Sequence, residues 1–338
     1  MRAVPLAVLL ALPSCSATLE RFELSRPAMG TELRIVGYAT ERARGETAAR
    51  AAFERVAQLD ALLSDWRDDS EVARLARRSA ESAPSGPLPV SEDLWRLLVA
   101  AEELSERSDG AFDVTIGPLV QLWRRAGRQG ALPDESALAA ARAAAGFRRM
   151  QLDRPARTVE FRERGMRLDL GGIAKGYAAD AALAVMRAHG VERALVALGG
   201  DVVAGAPPPG RSGWIVALAG PDGEAPRAAL LVKEGAVSTS GDTYRFVEIA
   251  GRRFSHVVDP RTGLGLERRL LVSVLARDGA TADALATAVS VLGPGPGLTL
   301  VAATQGAAAR VVEFGSGAPR TCASSGWPPM MEPPSRDE

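Results

Sequence analysis

The run Asp169-Leu170-Gly171-Gly172-Ile173-Ala174-Lys175-Gly176 carries residue types that suit a phosphate. It lies between an extended stretch, Val159 to Leu170, and a segment of helical composition, Tyr177 to His189. Such a junction turns unpaired backbone N–H groups outward, and the helix dipole adds partial positive charge. Lys175 supplies a mobile counter-charge. The same residues also make a tight strand-to-helix turn with a solvated lysine and no ligand. The pattern is neither a Walker loop nor a dinucleotide fingerprint, because both the lysine-serine element and G-x-G-x-x-G are missing.

Asp283 and Thr287 stand four apart in a second helical segment, so they share a face and offer two hard oxygens to one cation. An acid in a first helical turn also complements the dipole without any cation. The chain has two histidines. His189 precedes Gly190 at a helix end, where capping accounts for it. His256 has no such local reason and stands on a strand feeding Asp259-Pro260-Arg261-Thr262-Gly263. It is either a structural histidine or a group that handles a proton near neutral pH. Trp66, set among polar neighbours, reads as a stacking platform or as helix-end packing. Met29, beside Gly30, is core at a bulge or a contact beneath a ligand ring.

The elements that must position these residues follow from periodicity. Arg21 to Tyr38 reads as two strands broken near Met29-Gly30. Glu46 to Leu63 is helical, with Phe53, Val56, Leu59 and Leu63 on one side. Ser91 caps a helix striped by Leu94, Leu97, Leu98 and Leu104. Ser108 to Leu119 is too rich in glycine and proline for regular structure and too apolar for an exposed loop. Its backbone needs partners, and a bound ligand is one source. Asp134 to Ala145 is a short helix. Strands are expected at Ala194–Leu198, Trp214–Leu218 (closed by Pro221-Asp222-Gly223) and Leu270–Ala276, with a hairpin through Ala250-Gly251. Thr281 caps a helix from Ala282 to Leu292.

With 338 residues and 46% hydrophobic content, the chain can bury one large core or two intimate halves. Lys+Arg and Asp+Glu balance at 41 each, so no global field recruits nucleic acid. The only cysteines are Cys15 and Cys322, which excludes a disulfide framework.

Taken in order, eight segments resemble the ApbE family of FAD:protein FMN transferases. They are M-G-T at Met29, S-D-W-x-x-D-S-E at Ser64, G-A-F-D at Gly110 and L-D-L-G-G-I-A-K-G-Y at Leu168. Further on come G-G-D at Gly199, T-S-G-D at Thr239, H-V-V-D-P-R-T-G at His256 and A-D-A-L-A-T-A at Ala282. The resemblance implies an α+β fold with a mixed sheet related to the T-fold, formed by residues 16–314. It implies FAD as substrate, with Met29, Trp66, Ala111, Phe112, Asp113, Asp169, Lys175 and Val257 contacting it. Magnesium would be held by the Gly172 carbonyl, Asp283 and Thr287, with His256 and Lys175 catalytic. Tyrosine is frequent in the family where Trp66 stands, and the family's asparagine after S-E-x-x-x-L is Ala76 here. The reaction implied moves FMN from FAD to a threonine of a partner and releases AMP. The implied partners are subunits of membrane redox complexes, such as the Na⁺-pumping quinone reductase or Rnf-type complexes. FAD diphosphatase and non-catalytic FAD carrier are the competing readings, the latter disfavoured by intact Asp283, Thr287 and His256.

Residues 1–15 read as an export signal: Arg2, an apolar run from Ala3 to Leu12 too short to span a bilayer, then a lipobox-like Leu12-Pro13-Ser14-Cys15. The expectation is a protein on the periplasmic side of a bacterial membrane, anchored by lipid on Cys15; the alternative is an ordinary signal peptide cut nearby. Residues 315–338, rich in Pro and Ser, are expected to be a partly ordered tail. Cys15→Ser should release the full chain from the membrane fraction, and palmitate labelling of wild type but not of this variant checks it.

Overall fold

The computed structural model describes residues 18–220, 228–241 and 246–333. The signal segment with Cys15, the Pro221-Asp222-Gly223 turn and Asp242 of the T-S-G-D segment lie outside these residues. The first hairpin is β1 (Glu20–Ala28) and β2 (Thr31–Ala39), turned by Met29 and Gly30 at φ 48° and 72°. Helices α1 (Arg42–Leu63) and α2 (Glu71–Glu81), short strand β3 (Leu88–Pro89) and helix α3 (Glu92–Arg107) follow. Then come α4 (Gly117–Gln129), α5 (Glu135–Ala143), β4 (Met150–Asp153) and β5 (Thr158–Phe161). Helix α6 (Ala174–Ala188) leads into the hairpin of β6 (Arg193–Leu198) and β7 (Asp201–Ala204).

A separate hairpin pairs β8 (Trp214–Leu218) with β9 (Ala228–Val232). Strand β10 (Gly235–Gly241) precedes the hairpin of β11 (Phe246–Ile249) and β12 (Arg252–Ser255). The chain closes with β13 (Arg269–Ala276), α7 (Gly279–Leu292), α8 (Pro294–Ala302), β14 (Ala308–Phe314) and β15 (Arg320–Ala323). Eight strands form one sheet in the order β1-β2-β6-β7-β10-β13-β14-β15. The α+β class holds, but the sheet expected to be mixed is antiparallel at every ladder among the described residues. Strand β15 comes from the stretch read as tail, and it extends the sheet edge through Arg310 to Glu313.

Helices α1, α6 and α7 cover one face of the sheet with the main core, while β8 and β9 cover the other through Trp214, Val216, Leu218 and Leu230. A third cluster joins α4 to the β11–β12 hairpin, with Trp123 edge-on to Phe254 at 5.3 Å. Three helices, α2, α4 and α8, were not read from the sequence. Ser70 caps α2 by accepting from Ala73 N, and Pro118 opens α4 in the first turn, where a missing N–H costs nothing. The cap of α7 is Asp278, not Thr281: its carboxylate accepts from Thr281 N and Oγ1. Asp283 is therefore a turn deeper than expected, and it is buried.

Helices α6 and α7 meet at two glycines. A Cβ on Gly176 would stand 2.0 Å from the Gly279 carbonyl oxygen, and one on Gly279 would stand 2.5 Å from that of Gly176. No side chain fits there. Each helix also caps the other: Asp180 of α6 accepts from Gly279 N and Ala280 N, and Asp283 of α7 accepts from Gly176 N. Burial pushes the Asp180 carboxyl up to about 6, opposed by those two amides. On an isolated helix, Gly176→Ala would stabilise by about 1 kcal/mol. Here it should destabilise by about 3 kcal/mol through overpacking, and the sign of the shift in urea midpoint decides.

Candidate active site

A cavity of about 1040 Å³ opens where the N-termini of α6 and β7 meet α4, β8, β10, the β11–β12 hairpin and α7. Lys175, in the first turn of α6, anchors its floor. Its Nζ stands 3.1 Å from Asp201 Oδ2 and 3.4 Å from Asp283 Oδ2. Its side chain is 27% exposed, so it is neither mobile nor fully solvated. Burial works against the ammonium, yet the two carboxylates outweigh it and hold the lysine charged. Asp283 is the strained partner: burial and the nearby Asp201 raise its carboxyl to about 7, against the pull of Lys175. Asp201 was not singled out from the sequence. Its Oδ1 accepts from Ser238 Oγ, while its buried Oδ2 has the ion pair but no hydrogen bond.

These groups suit a hard cation. One ammonium faces two buried carboxylates, which leaves a net negative charge. Gly172 lies against Thr287, whose Oγ1 would be 2.8 Å from a Cβ built on Gly172. Gly172, Asp283 and Thr287 therefore come together across more than a hundred residues and supply carbonyl, carboxylate and hydroxyl oxygens. Asp283 is not an acid of the first helical turn: it stands a turn deeper and is 5% exposed. The strand-to-helix junction also keeps its unpaired donors. Among the described residues, the amides of Gly172 and Lys175 find no protein acceptor, whereas Gly171 N donates to Asp169 Oδ1 and Gly176 N to Asp283.

A second wall is organised by Arg124 of α4, which sequence reading missed along with its helix. Its guanidinium ion-pairs with Asp65 (2.5 Å) and Asp169 (3.2 Å) and lies 4.4 Å over the Trp66 ring. Trp66 is 71% exposed, so the packing alternative fails and its ring is held by a cation–π contact at the cavity edge. Burial raises the Asp169 carboxyl, and Asp65 adds to the effect against the attraction of Arg124. The signal that could have found Arg124 was the stripe Leu119, Trp123 and Ala126, all buried on one side of α4.

The irregular loop before α4 satisfies part of its backbone with its own side chains. Ser108 Oγ accepts from Phe112 N, and Asp113 accepts from Thr115 N, Thr115 Oγ1 and Phe147 N. Burial raises the Asp113 carboxyl, opposed by these donors. Ala111, Phe112 and Asp113 line the cavity, but the Phe112 ring is 3% exposed and belongs to the main core. Met29 does not line the cavity; it packs on the core at the hairpin turn, and Thr31 reaches the cavity instead. His256 and Val257 also line the cavity. His256 is exposed on a bend one residue beyond β12, not on the strand itself. That bend is pinned by Trp123 Nε1 donating to Ser255 O, and by Asp259 binding the Arg261 amide and guanidinium.

A helix N-terminus, a charged lysine and hard oxygens on one wall, with an exposed aromatic on another, define a protein for ligands that join a phosphate chain to planar rings. The family model described as the ApbE family matches residues 29–311. The chain is 35% identical to the FAD:protein FMN transferase of Treponema pallidum over 309 residues, 86% of this chain and 84% of that protein. It is 30% identical to the FAD:protein FMN transferase of Vibrio cholerae, covering 97% of this chain and 98% of the relative. Among solved structures, the flavinyl transferase ApbE of Pseudomonas stutzeri superposes with a TM-score of 0.78 at 31% identity, over 91% of this chain and 95% of that one. The ApbE protein of Thermotoga maritima gives a TM-score of 0.79, also at 31% identity, over 90% and 97%. The chain belongs to the ApbE family.

Removing the lysine tests the charge cluster. Lys175→Met leaves Asp201 and Asp283 facing each other without a counter-charge and should cost about 3–5 kcal/mol. Adding Asp201→Asn should recover part of that loss, and chemical denaturation of the single and double variants measures it.

Proposed function

We propose that this chain transfers the FMN moiety of FAD to a threonine hydroxyl of a target protein and releases AMP. The observation that carries this reading is the convergence of Lys175, the unpaired amides of Gly172 and Lys175, and the oxygens of Gly172, Asp283 and Thr287 on one cavity wall. Splitting a diphosphate depends on charge neutralisation and in-line positioning more than on a protein nucleophile. Lys175 and the α6 amides would hold the phosphate oxygens. Gly172, Asp283 and Thr287 would hold Mg²⁺, which when bound neutralises diphosphate charge. A buried carboxylate with its pKa raised to about 7 gains from such a cation. Trp66 and Asp169 would meet the nucleotide, with Val257 and the Ala111-Phe112-Asp113 loop shaping its bed.

In the reaction, the acceptor oxygen attacks the FMN-side phosphorus, the bond to the bridging oxygen breaks, and AMP leaves with that oxygen. His256, exposed to the cavity, takes the hydroxyl proton. The acceptor is a threonine-bearing subunit of a membrane redox complex. A lipid on Cys15 would place the enzyme on the same periplasmic face.

Incubation with FAD and Mg²⁺, with and without the flavin-free domain of a Na⁺-pumping quinone reductase subunit, tests the reading. AMP should appear only with the acceptor, whose mass should rise by one FMN. AMP without the acceptor means a diphosphatase, and no AMP in either arm means a carrier. Asp283→Asn keeps an acceptor for Gly176 N and should abolish Mg²⁺-dependent AMP release with little change in melting temperature.

A further inference from the structure

Among the described residues, strand β8 has one paired edge and one open edge. Its partner β9 uses Ala229 to pair outward, with Ala229 N donating to Met331 O and Met331 N to Ala229 O. Ala229 therefore cannot exchange hydrogen bonds with its register partner Ala217. In an antiparallel ladder such pairs alternate with bonded ones. Trp214, Val216 and Leu218 thus spend their backbone groups on β9, while Ile215 and Ala217 point N–H and C=O away from it. No described residue accepts or supplies bonds there.

This open edge borders the cavity, because Val216, Ala217 and Ala219 line it together with Lys175 and His256. Ala217 is exposed and small, so its own side chain does not screen its backbone. The strand's apolar side chains, Trp214, Val216 and Leu218, are buried against the sheet, which leaves backbone as the chemistry the edge offers. An unpaired edge of this kind takes another strand.

We infer that β8 is the docking rail for the acceptor: an extended segment of the target protein pairs with Ile215 and Ala217 and feeds its hydroxyl into the cavity. The occupant follows from where the edge lies. A chain paired along β8 runs beside the site at the 3.2–3.4 Å per residue of a strand, so its next residues reach the reacting phosphate. Main-chain pairing would also let one enzyme serve targets that differ in side chains around the hydroxyl. This inference rests on the acceptor being a protein.

Hydrogen exchange on the wild-type chain loaded with FAD, with and without the flavin-free quinone reductase domain used above, tests it. In the free enzyme the amides of Ile215 and Ala217 should exchange fast; with the acceptor, peptides spanning 214–218 should gain protection. No gain, or full protection before the acceptor is added, overturns the proposal, the latter because this chain or a second copy would already cover the edge. Ile215→Pro removes one outward N–H at a residue that does not line the cavity, and is compatible with an unpaired strand edge. It should raise the acceptor KM by about fivefold, the weight of one net hydrogen bond, with FAD affinity unchanged. An unchanged KM overturns the docking. Wild type that transfers no FMN at all would instead sink the transferase reading, so the two failures are distinct.

Discussion

Contact between the backbones of Gly176 and Gly279 sets the distance between α6 and α7, and most of the site depends on that distance. A carbonyl 2.0 Å from where a Cβ would be leaves no freedom to slide. The reciprocal carboxylates, Asp180 into α7 and Asp283 into α6, then fix rotation as well as spacing. Gly172 reaches Thr287, and Lys175 reaches Asp283, only because the two helix starts are locked side by side. Both helices lie on the face of a sheet whose first four strands come before residue 205 and whose last four come after 234, so the lock also ties the two halves of the chain together.

Electrostatically the floor of the cavity is under-neutralised by design. Asp201, Asp283 and Lys175 sum to a negative charge in a buried setting, and the elevated Asp283 carboxyl registers the cost. Arg124 stands in the same relation to two carboxylates on another wall, where it meets Asp65, Asp169 and the Trp66 ring at once. Both walls thus set one cation against two carboxylates. They differ in what they present beside them: hard oxygens of Gly172 and Thr287 on one, and a fixed aromatic face on the other.

Most of the site was legible in the sequence because its residues sit in segments with local signatures: the glycine-lysine junction, the spaced Asp283 and Thr287, the isolated His256. The first hairpin, α1, α3, β6, β8, the β11–β12 hairpin and β13 were legible for the same reason, strong periodicity with clear breaks, whereas β7, β9 and β10 were not read. What escaped depends on long-range packing. Arg124 lies in a helix that opens with glycine and proline, which masks its start. Asp201 follows two glycines at a hairpin and gains meaning only when Lys175, 26 positions earlier, folds beside it. At the loop around Phe112, which lines the cavity, what escaped is how far Ser108, Asp113 and Thr115 bind it internally.

The crossing at Gly176 also has a temporal consequence. Lys175 and Asp283 are 108 positions apart, and α7 is among the last elements to leave the ribosome. Contacts of such separation form late, after the loop between them has been closed. Until α7 docks, the lysine, the two carboxylates and the threonine belong to different parts of an unfinished molecule. Capacity for chemistry is therefore withheld from every partial chain and arrives in one step with completion of the fold.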